Sequence, residues 1–170
     1  MPPGRGYTSP PMAQARAFTP QNAGDPQLTA LKLPPHSIEA EQSLLGGLLL
    51  DNAAWDRIAD QVSEADFYRD DHRRIFRHIA RLVEAGRPAD VVTVFESLEK
   101  SVEAEQAGGL AYLGEIANNT PSAANIKRYA EIVRERAILR KLVTASDEIA
   151  TAAFNPQGRA VDKILDEAEQ

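Results

Sequence analysis

The chain contains no cysteine, which excludes disulfides and thiolate metal sites and suits a reducing cytoplasm. It also has no long apolar run. The longest, Leu44 to Leu50, includes Gly46 and Gly47 and falls far short of the roughly 20 residues that cross a bilayer. The N-terminus lacks the basic-then-apolar pattern of a secretory leader, so a soluble chain with no membrane partner is expected. No G-x-x-x-x-G-K-[ST] loop is present to cradle a nucleotide phosphate, and Gly108-Gly109-Leu110 has neither the lysine nor a preceding strand. His72 and His78 do not have the i, i+4 spacing that puts two imidazoles on one helical face for a metal, and His36 adjoins a double proline. All three histidines are expected to be surface side chains or internally satisfied ones. Asp70-Asp71 and Glu39/Glu41 imitate paired catalytic carboxylates, but they stand where helices begin, and there carboxylates cap or oppose the helix dipole. No nucleophile–base pair follows from spacing. The residues offer no catalytic, cofactor-binding or metal site, and read alone the chain is not an enzyme.

What is present is a core. The 170 residues are 43% hydrophobic, enough for one ordinary domain with attachments. The net charge of −6 argues against a generic polyanion binder. Residues 1–32 read as a disordered Pro/Gly-rich tail, because eight of the eleven prolines fall at or before Pro35 and few bulky apolar groups offset the entropy of ordering. A helical head is expected over 33–120. Ser37 is a good N-cap for a helix carrying Ile38, Leu44, Leu45, Leu48 and Leu49. Gly46 and Gly47 weaken that helix and imply close approach of another one. Trp55, Ile58, Ala59 and Val62 form a second stripe. Asp70 or Asp71 should cap a helix bearing Ile75, Ile79, Leu82 and Val83, which Gly86 and Pro88 end. Val91 to Phe95 has strand propensity, yet a lone strand has no partner and Phe95 and Leu98 continue at helical spacing, so a helix capped by Asp90 is expected. Gly108-Gly109 opens a further short helix.

Residues 121–170 read as a helical hairpin. Pro121 is expected at the first helical position, the long helix runs to about Phe154, and a second helix starts near Ala160. Its apolar residues occupy two faces. Ile126, Tyr129 and Val133 form one, and Ile132, Leu139 and Val143, widened by Ile138, Leu142 and Ile149, form the other. A helix facing one neighbour needs a single stripe, so the second face points to another chain. Lys127, Arg128, Arg134, Arg136, Arg140 and Lys141 crowd the first half, while Asp147, Glu148, Asp162, Asp166, Glu167 and Glu169 dominate the remainder. Folding the hairpin should bring these charges together. The basic stripe 127–141 leaves three readings open: a solvated face, a protein-docking surface, or a DNA-binding module, for which interleaved aromatic stacking groups are missing. The fold class expected is all-α with no β-sheet. The apolar pattern is still running at Gln170, which implies a longer protein or a helix covered by another part.

Ordered blocks along the chain carry a resemblance. They are Leu33 to Gly47 (LPPHSIEAEQSLLGG), Asp66-Phe67-Tyr68 with His72 and Ile75-Phe76, and Pro88 to Thr93 (PADVVT). Gly108 to Leu113 (GGLAYL), Asn119 to Ile126 (NTPSAANI) and Tyr129 to Arg136 (YAEIVRER) complete the set. Together they resemble the N-terminal domain of the bacterial replicative DNA helicases, the DnaB family, over about Leu33 to Gln170. The resemblance implies a collar domain and the start of a linker to a RecA-like ATPase motor, with ATP and Mg held by that motor. It also implies self-association as a trimer of dimers through the hairpins, docking of the C-terminal domain of primase, and a helicase loader as a further partner. Single-stranded DNA would be met mainly by the motor, at the cytoplasmic replication fork. Carried onto this chain, Ile132, Leu139, Arg140, Val143, Asp147 and Ile149 are the candidate dimer or partner interface.

Overall fold

A computed structural model describes Gly4 and residues 33–170 of the chain. The expected disordered tail lies, Gly4 apart, outside the described residues. The chain divides into two units, 1–34 and 35–170, and the second is described here.

Ser37, in extended backbone, accepts the Ala40 amide on its hydroxyl at 3.2 Å and starts α1, Ile38–Leu50. This helix is buried on nearly every side and lies against three others. Gly46 and Gly47 make that possible. A methyl group at Gly46 would lie 2.7 Å from the Ile116 carbonyl and collide with Thr120, and one at Gly47 would meet Ile126 Cδ1 at 3.2 Å. After a 3-10 turn at Asn52–Ala54 come α2, Trp55–Ile58, and a second 3-10 turn at Glu64–Asp66. Asn52 ties this corner down: its side-chain amide donates to the Leu48 and Ala89 carbonyls, and its oxygen accepts the Ala89 amide.

Helix α3, Asp70–Glu84, buries His72, Ile75, Phe76 and Ile79 at helical spacing. Phe76 packs against Phe67 and Trp55, with ring centroids 4.9 and 5.4 Å apart. The expected cap at Asp70 or Asp71 is corrected. The N-cap is Arg69, and the two aspartates occupy the first turn. Asp71 Oδ1 still accepts the His72 amide of that first turn at 2.8 Å, and Glu41 on α1 accepts the Tyr68 amide at 2.9 Å and the Arg69 amide at 3.4 Å just ahead of the helix. Gly86, at φ 71°, follows the helix as anticipated.

Helix α4, Val91–Lys100, begins with a reciprocal cap in which Asp90 accepts the Thr93 amide and Thr93 Oγ1 accepts the Asp90 amide. Helix α5, Gly109–Asn119, packs on α1 and α4. Helix α6, Ile126–Phe154, starts five residues later than Pro121. Over 121–125 the chain is held in a turn by Ser122 Oγ, which accepts the Ala124 amide at 3.3 Å, and Ala123 is buried there beside Gly47. Helix α7, Val161–Glu169, folds back on the end of α6. The described residues contain seven α-helices and no strand, the all-α fold expected.

The core formed by Leu44, Leu45, Leu48, Ile58, Phe67, Ile75, Ile79, Leu98, Leu113 and Ile126 is fully enclosed. Ile126, Ala130, Val133 and Ala137 extend it along the first three turns of α6. That stretch belongs to the head's packing, and the remainder of α6 with α7 leaves it.

Candidate interaction surface

The change along α6 is abrupt. Ala137 is buried, and every residue from Lys141 to Thr151 is exposed. The exposed stretch is not polar. Ile138, Leu139, Leu142, Val143 and Ile149 are 45%, 41%, 57%, 46% and 41% accessible, and Phe154 at the tip is 91% accessible. Scattered exposed apolar residues are ordinary, but a contiguous set on one helix is not.

The six residues singled out from sequence fall in three places. Ile132, Leu139 and Val143, at i, i+7 and i+11, share one stripe on the side of α6 opposite Ile126, Ala130, Val133 and Ala137. Ile132 is half-buried at the edge of the core, the other two are exposed, and Asp147 continues the stripe one turn on. Ile149 lies elsewhere, in a groove of about 690 Å³ between α6 and α7 lined also by Asp147, Ala152, Ile164 and Ala168. Arg140 turns to the head. Its Nη1 donates to the Pro35 carbonyl at 2.9 Å, its Nη2 to the Asp66 carbonyl at 2.5 Å, and its guanidinium lies 5.6 Å from the Tyr68 ring centroid.

The expected charge pairing across the hairpin does not form. Among the described residues, no ion pair joins the basic stripe to the later acidic side chains. Arg128 pairs with Glu131 on its own helix, and Arg159 with Glu167 beside α7. The reason is length. Nine residues of α7 extend about 14 Å, so its end reaches back only to the level of Thr144, short of the basic turns. Arg134 donates to the Gln61 carbonyl at 3.0 Å.

The head holds the side chains that could have suggested chemistry, and they are engaged with one another. His72 Nδ1 lies 2.8 Å from Glu41 Oε1, and its Nε2 lies 2.6 Å from the Tyr112 hydroxyl. His78 sits between Ser97 Oγ at 2.7 Å and Glu103 Oε2 at 2.6 Å. Both histidines are internally satisfied, as expected, and both are wholly buried. The His78 hydrogen bond, helped by Arg77 and Arg74, holds the Glu103 carboxyl below the usual carboxylate range, and burial pushes the Tyr112 phenol up. The described residues include no cluster of three or more His, Asp or Glu arranged to hold a metal, and none of their helices is long and apolar enough to cross a membrane.

An all-α head that sends out a helical hairpin with an uncovered apolar stripe defines the class of the domain. Residues 33–135 match the DnaB-like helicase N-terminal domain family. The chain is 44% identical over 155 residues to the replicative DNA helicase DnaB of Haemophilus influenzae, a match spanning 91% of this chain and 33% of that protein. It is 40% identical over 144 residues to the DnaB of Geobacillus stearothermophilus, spanning 85% and 32%. The crystal structure of the N-terminal domain of DnaB helicase from Mycobacterium tuberculosis superposes with a TM-score of 0.77 at 36% identity, covering 81% of this chain and 96% of that one. A structure of a DnaB-like replicative helicase and its interactions with primase shares the fold at a TM-score of 0.61 and 22% identity, over 77% of this chain and 31% of that one. The chain belongs to the DnaB-like helicase N-terminal domain family. It spans about a third of the length of the curated relatives it matches.

Proposed function

We propose that this chain is the N-terminal collar region of a replicative DNA helicase, non-catalytic in itself, which assembles with copies of itself and docks primase. In this reading residues 1–32 are a tail and 33–120 the head. Residues 121–170 form the hairpin and the start of a linker to an ATP- and Mg-dependent motor, which unwinds DNA at a cytoplasmic replication fork. The motor meets the single-stranded DNA, and a helicase loader acts on the assembled protein.

The observation that carries the reading is the apolar stripe through Leu139 and Val143, left uncovered by the chain's own head and by α7. Burying a leucine or valine side chain contributes about 1.5–3 kcal/mol, so a second chain on this stripe gains what a single chain cannot. A relative's structure, described with its interactions with primase, supports primase as the second partner. The test is sedimentation of the chain with the C-terminal domain of primase. A faster-moving complex is the expected result, and a chain that sediments unchanged removes primase docking from the reading.

The competing idea, a helical DNA-binding module on the basic stripe 127–141, loses ground to the geometry. Arg134 and Arg140 donate to head carbonyls and Arg128 pairs with Glu131. Lys127, Arg136 and Lys141 are the remaining cations of that stripe.

A further inference from the structure

We propose that Arg140 is a latch that sets the direction in which the hairpin leaves the head. It occupies the position where α6 stops being a core helix: Ala137 is the last of its buried core residues, and beyond Arg140 the next eleven residues are all exposed. Over the eleven residues beyond that position no buried side chain ties the helix to the head. Arg140 supplies the aim through the two forks of its guanidinium, one to the Pro35 carbonyl at the entry to α1, the other to the Asp66 carbonyl at the end of a 3-10 turn. A planar guanidinium bonded at two points fixes an orientation, which one bond to a flexible ammonium does not.

The socket that receives Arg140 is itself held. Tyr68, whose ring faces the guanidinium, stacks on His36 with centroids 4.3 Å apart and planes 15° from parallel. Its amide donates to Glu41 at 2.9 Å, and its carbonyl and that of Phe67 both accept Arg73 Nη1 at 2.9 Å. The Asp66 carboxylate accepts the Ser63 amide at 2.8 Å. Three separate stretches of chain, around residues 35, 66 and 140, thus meet at one side chain. Its leverage is large, because the fourteen residues beyond Arg140, ending at Phe154, extend about 21 Å, and a rocking of about 10° at the latch moves the tip by about 4 Å. The latch therefore governs where Val143 and the α6–α7 groove are presented.

The absence of cysteine makes the test clean. Glu99→Cys on the head and Ala153→Cys on the hairpin, both exposed positions, are labelled with nitroxides. Labelled protein is diluted into unlabelled chain, and the intramolecular distance distribution is read by pulsed electron resonance. A single narrow distribution is expected for the parent. Arg140→Met should broaden or shift it by several ångströms, and Arg140→Lys should fall between the two. A distribution for Arg140→Met that superposes on the parent's overturns the proposal. Should Arg140→Met fail to fold, Arg140→Gln, which removes the two-pronged guanidinium but keeps a polar side chain, decides instead. Broadening supports the latch and an unchanged distribution refutes it. The readout is a distance within one chain, so it stands or falls independently of primase docking.

Discussion

Replacing Gly46 with alanine and Gly114 with alanine is the same chemical change on two helices, and the structure gives the two opposite signs. In both cases the helix gains about 1 kcal/mol of intrinsic propensity. At Gly114 a new methyl group has nothing within 4 Å, so that gain stands. At Gly46 the methyl would lie 2.7 Å from the Ile116 carbonyl and inside the Thr120 side chain. Thr120 cannot simply rotate away, because its hydroxyl donates to the same carbonyl at 3.0 Å and the residue is buried. Helices α1 and α5 must separate instead, and overpacking of this kind costs about 1–3 kcal/mol or more. A 2.7 Å approach to backbone belongs at the upper end of that range, so subtracting the propensity term leaves Gly46→Ala destabilised by about 2 kcal/mol or more and Gly114→Ala stabilised by about 1 kcal/mol. At about 2–8 °C per kcal/mol for domains of this size range, thermal melts followed by circular dichroism resolve both shifts. A Gly46→Ala protein that melts at or above the parent refutes the close-approach argument for the paired glycines.

Further outcomes follow from single residues. Val102 is a β-branched residue at φ 57° and 82% exposed; Val102→Gly should raise stability by about 1 kcal/mol in chemical denaturation, since the left-handed region costs an L-residue about 1–2 kcal/mol. The hydrogen bond from His78 holds the Glu103 carboxyl below the usual carboxylate range in the folded state, so its stabilising contribution is present above the ordinary carboxylate pKa and lost as pH falls through the folded one; Glu103→Gln should flatten this acid limb in melts across roughly pH 2–6. On the exposed stripe, Leu139→Glu with Val143→Glu should leave the melting of the head unchanged while weakening self-association at least about tenfold, or about 1.4 kcal/mol, in sedimentation equilibrium. Charge reversal at Lys141 should weaken primase binding without moving the hairpin, whereas reversal at Arg140 also breaks its bonds to Pro35 and Asp66. Single-stranded DNA titrated at low salt should bind the chain weakly or not at all; tight, steeply salt-dependent binding would restore the DNA-binding reading.

Much of the head could be read from the sequence because its punctuation is local. Ser37, Asp90 and Gly86 act on backbone groups within three or four residues of themselves, and spacing exposes such relations. Val91 to Phe95 shows where a neighbour-level propensity yields to context. Those residues have strand preference, but Asp90 and Thr93 close a capping box and Val94 and Leu98 need one helical face for the core. The unread part is long-range. The amides just ahead of α3, at Tyr68 and Arg69, are satisfied by Glu41, 27 and 28 residues upstream, and the helix begins so that Arg69 takes the cap position and Asp70 and Asp71 fall in the first turn. Glu41 itself looked like a first-turn charge and proves to be a buried acceptor shared with His72. Pro121 had the local credentials of a helix start, but the turn at 121–125 is dictated by packing Ala123 against Gly47. The second apolar face of the long helix was legible, since periodicity alone shows that one neighbour cannot cover it. Arg140 was not, because its partners lie 105 and 74 positions away and a guanidinium in a basic stripe gives no hint of two carbonyls.

The stripe through Leu139 and Val143 is proposed as an association surface between chains. Sedimentation equilibrium of the 170-residue protein over a wide concentration range addresses it without any partner. Mass rising with concentration to a dimer or beyond, and falling to the monomer in the Leu139→Glu/Val143→Glu protein, is the expected result. A parent protein that remains strictly monomeric at the highest concentrations would contradict it.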